Sequence, residues 1–344
     1  RTIGGEALNT QNLKGNFLGD GATMIYRTGT EYDDIFVAWD WHKIPGTTVE
    51  THPFDDITSI QHHFDSSESY RINGVSAGNN GATAMELIHD TLSAKKAWFM
   101  FDNEFMALGA DVKLGRKKYS AITTVNQSLL KSNAVVGTSS GSSTVITDGS
   151  AEKQNALWVW QDRIGYVFEN NTPIHISAKK QSGDRYDINW GGAVTRPERT
   201  DIVSKNVFSV WFDHTNDNTD TYQYTVVPDV SQTELEAYAA DRPLRVISNT
   251  GKLQAVENSK TGEKQAVFWT AGLAQFSDMT VECDKEVLIA VSGNGEEQKI
   301  AVASLEQKVE QVKLKITQNG ETKEFTVDLP GDRYAGSSII VNIN

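Results

Sequence analysis

The stretch Val312–Leu329, VKLKITQNGETKEFTVDL, decides the fold class. Val312, Leu314 and Ile316 alternate with polar or charged residues on one arm, Phe325, Val327 and Leu329 do so on the other, and Asn319-Gly320 stands between them. A period of two places each apolar set on one face of a strand, and Asn-Gly supplies the positive φ angles that a two-residue hairpin turn needs. The stretch therefore reads as an antiparallel hairpin. VLIAVSGNGEEQKIAVAS, Val287 to Ser304, repeats the plan with its turn at Gly293-Asn294-Gly295.

Upstream the same grammar continues. Thr83 to His89, Lys96 to Asp102, Phe105 to Leu108, Ala121 to Gln127, Ala156 to Trp160, Ile164 to Phe168, Ile174 to Ala178, Val207 to His214 and Tyr222 to Val227 are short, rich in β-branched or aromatic residues and bounded by turn formers. Strands at this spacing, without long helical patterns between them, predict a large antiparallel sandwich and argue against a parallel α/β fold. One helix is predicted, over Ser231 to Ala240, where Ser231 and Glu234 form a capping box. Asp241-Arg242-Pro243 ends it. The boundary is placed there: residues 1–242 as a large super-sandwich and 243–344 as a smaller C-terminal β-sandwich. The length agrees with two domains, since single cores stop growing at roughly 250–300 residues.

Composition excludes several functions. A net charge of −13 provides no field to attract nucleic acid, and no run of 18 apolar residues is present to span a membrane. The single cysteine, Cys283, rules out an internal disulfide framework and a cysteine zinc finger. The chain opens at Arg1 without a signal-peptide pattern, which reads as a processed chain or an excised piece.

Chemistry concentrates in Glu31–Thr48, EYDDIFVAWDWHKIPGTT, where Tyr32, Phe36, Trp39 and Trp41 lie among Asp34, Asp40, His42 and Lys43. Aromatic faces beside hydrogen-bonding groups suit a sugar-binding wall; alternatively Phe36, Ala38 and Trp41 form the core face of a strand. His62, His63 and Asp65 are metal-ligand types, yet adjacent histidines on a strand point to opposite faces. The segment Asn73 to Gly81 has no carboxylate between Arg71 and Ala84, which argues against calcium. No metal and no cofactor are expected. Lys113, Arg116, Lys117 and Lys118 form a candidate anion patch at a loop tip. Trp158/Trp160 and Tyr166/Phe168, each pair two residues apart, are expected to pack between two sheets. The G-x-S-x-G spacing occurs at Gly74–Gly78 and Gly137–Gly141, but no helix signal follows either, so neither reads as a nucleophile elbow, and H-E-x-x-H does not occur.

Together, EYDDIFVAWDWHKIPGTT, AKKAWFMFDNEFMALGADV from Ala94, TTVNQSLL from Thr123, WVWQDRIGYVF from Trp158, NTGKLQAV from Asn249 and VFWTAG from Val267 resemble the β-rich portion of the family 8 polysaccharide lyases. That family includes chondroitin AC, hyaluronate and xanthan lyases, and the chondroitin AC branch is the nearest in pattern. The resemblance implies a galactose mutarotase-like super-sandwich followed by a small sandwich, and an acidic polysaccharide as partner. It also implies β-elimination: the uronate carboxylate is neutralised, a base removes the C5 proton and the glycosidic oxygen leaves. In the family those catalytic Asn, His, Tyr and Arg residues sit on an N-terminal α/α-toroid, which this sequence does not contain, so the chain is expected to be inactive alone. The family's cleft motif, Glu-aromatic-x-Asn, falls on Glu31, Tyr32 and Asp34, with Asp in the Asn place. An ionised carboxylate there would repel a uronate, so the resemblance implies that Asp34 is protonated or paired, or that the role is lost. Glu31, Asp34, His42 and Lys43 are the candidate cleft residues. Secretion or a periplasmic location is expected by family habit, and a free-standing carbohydrate-binding or mutarotase-like sandwich is the alternative.

Overall fold

The computed structural model describes residues 11–53, 69, 71–115, 118–146, 149–169, 173–191, 198, 200–214 and 220–343. The fold is all-β, and every strand pairing among the described residues is antiparallel. The first two-thirds of the chain form a 13-stranded sheet folded on itself. One layer holds Thr48–Glu50, Ala121–Leu129, Ile202–His214 and Pro173–Asp184; the other runs through Ile164–Phe168, Asp220–Pro228, Glu104–Leu114, Leu92–Phe101, Asn80–His89 and Ile72–Ala77. Gly149–Gln161 belongs to both. Its first half pairs with Pro173–Asp184 and its second half with Ile164–Phe168, so this one long strand joins the layers.

Alternation along the strands fills the space between the layers. Ile174, Ile176, Phe208, Val210 and Phe212 from one layer meet Met85, Leu87, Tyr166, Phe168, Tyr222 and Tyr224 from the other. Burying side chains of this size contributes about 1.5–3 kcal/mol each, which is what holds the layers together. Tyr166 and Phe168 thus pack as expected. Trp158 and Trp160 do not: they lie on the opposite face, against Val230, Leu235 and Ala239. The reason is the helix Gln232–Ala240, whose capping box at Ser231 and Glu234 forms as predicted. The helix lies against this face, so these tryptophans pack against a helix rather than a second sheet.

The remaining chain forms a six-stranded sheet, Leu244–Asn249 to Ile339–Asn342, facing a four-stranded sheet that contains the hairpin Gln311–Gln318/Glu321–Asp328. Asn319 and Gly320 both take positive φ, 54° and 82°, as the turn demands. Val312, Leu314, Ile316 and Val327 are buried against Val287, Ile289 and Val302. The six-stranded sheet is covered on its other face too, by Ala84, Phe99, Met106 and Leu108 of the large sheet. Burial on both faces explains why Val287–Val291 is a continuous apolar run rather than an alternating one. Polar ties cross the same joint: Arg71 pairs with Glu286 and Glu306 at 2.9 Å, and Gln265 Nε2 donates to the Met100 carbonyl.

The strand alternative for Glu31–Thr48 is not what forms. Extended pairing begins only at Thr48. Before it the chain makes turns, with Ala38 and Trp39 N–H both donating to the Ile35 carbonyl, then a short 3-10 helix at Trp41–Lys43. Ile35, Val37, Ala38 and Trp39 are buried in sequence rather than in alternation, and Phe36 is 39% exposed. Asp34 is the cause at the start: with φ of 53° it sits in the left-handed region and cannot continue a strand.

Candidate functional site

The layer of Ala121–Leu129, Ile202–His214 and Pro173–Asp184 turns one face to the core and the other outward. Residues 11–47 lie on the outward face: Phe17, Tyr32, Ile35, Trp39 and Ile44 pack on Val49, Ile122 and Val207. Main-chain contacts set the height of this covering segment. Gly183 has the Val37 carbonyl so close that an added Cβ would lie 1.8 Å from the oxygen, so only glycine admits the approach. Leu129 N–H donates to the Glu31 carbonyl and Gly46 N–H to that of Thr124. Gln127 clamps the far end, accepting from Asp40 N–H and donating to the Asp40 and Lys43 carbonyls. Beneath, Tyr32 donates to Asn126, whose amide donates to Tyr166, tying the segment to the core.

Glu31 is buried, and its carboxylate accepts from Thr28 N–H and Oγ1 at 2.7 Å and from Gly29 N–H at 3.0 Å. Burial alone would raise its pKa; these hydrogen bonds prevail and hold it at about 2, so it remains an anion that braces its own turn. Asp34 stands at the open edge. Arg185 reaches it at 3.0 and 3.2 Å and Lys205 Nζ at 3.7 Å, while Arg185 Nε also binds Asp201. The Asp34 carboxylate is therefore paired, in a cluster where Arg185 and Lys205 face the carboxylates of Asp34 and Asp201.

His42 and Lys43 belong to a second group. Asp40 caps the short helix through His42 N–H and pairs with Lys43. Burial of Asp40 opposes its charge, but His42 and Lys43 outweigh that and hold the carboxyl far below the usual range. His42 Nε2–H donates to the His52 carbonyl. Lys43 Nζ lies 4.6 Å from the centre of the Trp211 ring, and Trp211 stacks on His175 at 5.1 Å.

Of the candidate anion patch, only Lys113 and Lys118 are among the described residues. Lys113 is exposed beside Asp111, Lys118 Nζ sits over the Tyr119 ring, and Arg116 and Lys117 lie outside the described residues. His62, His63 and Asp65 also lie outside them. No group of three His, Cys, Asp or Glu among the described residues is arranged to hold a metal. No described helix is long and apolar enough to cross a membrane. Sequence reasoning missed Arg185 and Lys205, which reach Asp34 only through the fold, and the polar strip Ser177, Lys179 and Gln181, whose period-two spacing was the available signal.

A folded-over antiparallel sheet with a smaller sandwich behind it defines a β super-sandwich. The comparisons agree on the lineage. Residues 1–239 match the family model for the polysaccharide lyase family 8 super-sandwich domain, and residues 245–313 that for the C-terminal β-sandwich domain of the same family. Chondroitinase-AC of Pedobacter heparinus is 33% identical over 344 residues, covering 98% of this chain and 47% of the relative. Hyaluronate lyase of Thermasporomyces composti is 30% identical over 305 residues, 85% of this chain and 37% of the relative. The solved chondroitinase AC lyase studied with oligosaccharides superposes with a TM-score of 0.87 at 31% identity, over 98% of this chain and 49% of that one. The chain belongs to polysaccharide lyase family 8. It spans about half the length, or less, of these relatives.

Proposed function

We propose that this chain is the β-rich portion of a secreted or periplasmic lyase that cleaves an acidic polysaccharide, chondroitin or hyaluronan, by β-elimination. In this reading it supplies one wall of the substrate cleft through the Glu31–Lys43 segment, and the base that takes the C5 proton stands on an α/α-toroid outside these residues. The observation that carries it is the Asp34 edge. Arg185 and Lys205 offset the carboxylate that stands where the family motif has Asn, leaving a surface that can face a uronate. Supporting it, His89, His175 and His214 are each paired with a carboxylate, Asp20, Asp213 and Asp220, and Tyr166 and Tyr224 are held neutral by burial.

The test is ultraviolet absorbance of the unsaturated uronate released from chondroitin or hyaluronan. The chain alone should give no turnover, and a polypeptide that adds the toroid should give it. Turnover by the 344-residue chain alone would overturn the division of labour.

A further inference from the structure

Between the Asp40–Lys43 turn and the strands Pro173–Asp184 and Ile202–His214 lies a cleft of about 300 Å³. Its floor is two serines. Ser177 and Ser209 are directly opposite each other in the strand pairing, and both are buried, at 3% and 1% exposure. Neither Oγ has a hydrogen-bond partner among the described residues. Two adjacent buried hydroxyls left without partners are costly, unless they face a ligand that accepts from them.

The walls state what kind of ligand. Lys43, Lys179 and Lys180 line the cleft against a single carboxylate, that of Asp40, which Lys43 and His42 already engage. Lys179 and Lys180 are exposed and have no ion-pair partner among the described residues. In a chain of net charge −13, the unpaired Lys179 ammonium beside the engaged Lys43 makes the cleft locally cationic. A cation is repelled there, and an anionic group adds charge attraction to the hydrogen bonds that a neutral sugar could also accept. Trp211 forms a side of the cleft, but its ring is engaged by His175 and Lys43, so charge rather than ring stacking is the means of recognition.

We propose that this cleft is an oxyanion-binding subsite for an acidic glycan, holding one sulfate or carboxylate group between the Ser177 and Ser209 hydroxyls and the ammonium group of Lys179, which shares the face of Ser177 on its strand. The subsite goes beyond the lyase reading, because every group in it belongs to this chain and none takes part in elimination. Ser209 and Lys205 are four residues apart on one strand, roughly 13 Å at the usual rise, so a single glycan chain can span this cleft and the Asp34 edge.

Calorimetric titration of the chain at low ionic strength with inorganic sulfate, a chondroitin sulfate hexasaccharide and a hyaluronan hexasaccharide tests it. Lys179→Gln should weaken oligosaccharide binding about tenfold or more. Ser177→Ala/Ser209→Ala should weaken it similarly while leaving the thermal midpoint unchanged or higher, because it removes hydroxyls that the free protein leaves unsatisfied. A sulfate ester as the bound group gives tighter binding of chondroitin sulfate than of hyaluronan, with competition by inorganic sulfate. A carboxylate gives comparable binding of the two oligosaccharides. Absence of binding by all three probes, or binding that both variants leave intact, would overturn the subsite. Lyase turnover by a longer polypeptide does not enter either outcome, so the two readings fail separately.

Discussion

Between its two sheets the C-terminal sandwich buries an apolar set, Ala255, Phe268, Val281, Ile289, Val302 and Leu314 among them, and its buried polar side chains such as Gln254 and Gln265 lie at the joint with the large sandwich. The large sandwich is built differently. It buries an ammonium group, Lys96, which donates to the Asp20 and Gly46 carbonyls and to Thr48 Oγ1. It also buries the Asp20–His89 pair, the Tyr32–Asn126–Tyr166 chain and two unsatisfied serines. The difference teaches where the constraint lies. An apolar core needs only volume and pattern, whereas the polar groups under residues 11–47 hold one particular arrangement of a surface segment.

The sharpest test of that contrast is Lys96. Burial pushes its amine down to about 7, against the pull of Asp20. An unfolded lysine titrates near ~10.4, so between the two values the unfolded chain holds one more proton and stability rises with pH. The expected gain from about pH 7 to about pH 8.5 is on the order of 2 kcal/mol. Above that the Cys283 thiol, which burial pushes up to about 12, levels the slope, and then Tyr32 and Tyr222, which burial holds neutral well beyond the ordinary tyrosine range, reverse it. Denaturant unfolding across this range should show the rise in the natural chain and none in Lys96→Met; an unchanged slope in the variant breaks the contrast.

A cavity in the other core should show the complementary behaviour. Ile289 is fully buried in the apolar set, and Ile289→Ala should cost about 2–5 kcal/mol. Chemical denaturation at pH 6 and at pH 9 should return the same loss, since the one titratable group in that core, the Cys283 thiol, is pushed up to about 12 by burial and stays protonated in the folded natural chain and variant alike. A loss that varied with pH would show the two interiors to be less distinct than described.

The smallest expected effect is at the edge. Asp34→Asn removes exposed ion pairs worth about 0–1 kcal/mol and places in the left-handed position a residue that tolerates it. Stability should stay within about 1 kcal/mol. Affinity for a hyaluronan oligosaccharide should rise severalfold as Lys205 is freed and Arg185 keeps Asp201 alone. Weakened binding would mean that the carboxylate contributes to recognition.

Much of this architecture was legible because strand period and turn chemistry are local. Val312–Leu329 carries its own register, and Ser231 with Glu234 announces the helix. Glu31–Thr48 misleads for the same reason. Its aromatic density imitates a strand, while the left-handed Asp34 and the i,i+3 bonds that make it a turn are backbone facts. The partners of Asp34 were beyond reach, since Arg185 is 151 residues away and only the close approach of the covering segment to Pro173–Asp184 brings them together. The tryptophan pair was placed on the right strand but assigned the wrong neighbour, because alternation tells which residues share a face and not what covers it.

Gly183 gives the covering segment a mount without a spacer. Because Val37 rests there by its main chain, the standoff between segment and strand does not depend on which side chains Asp33 or Phe36 carry. The exposed side chains at Asp33 and Phe36 can therefore be exchanged like the face of a tool while the seating stays constant, whereas a methyl group at Gly183 would push the segment off its mount.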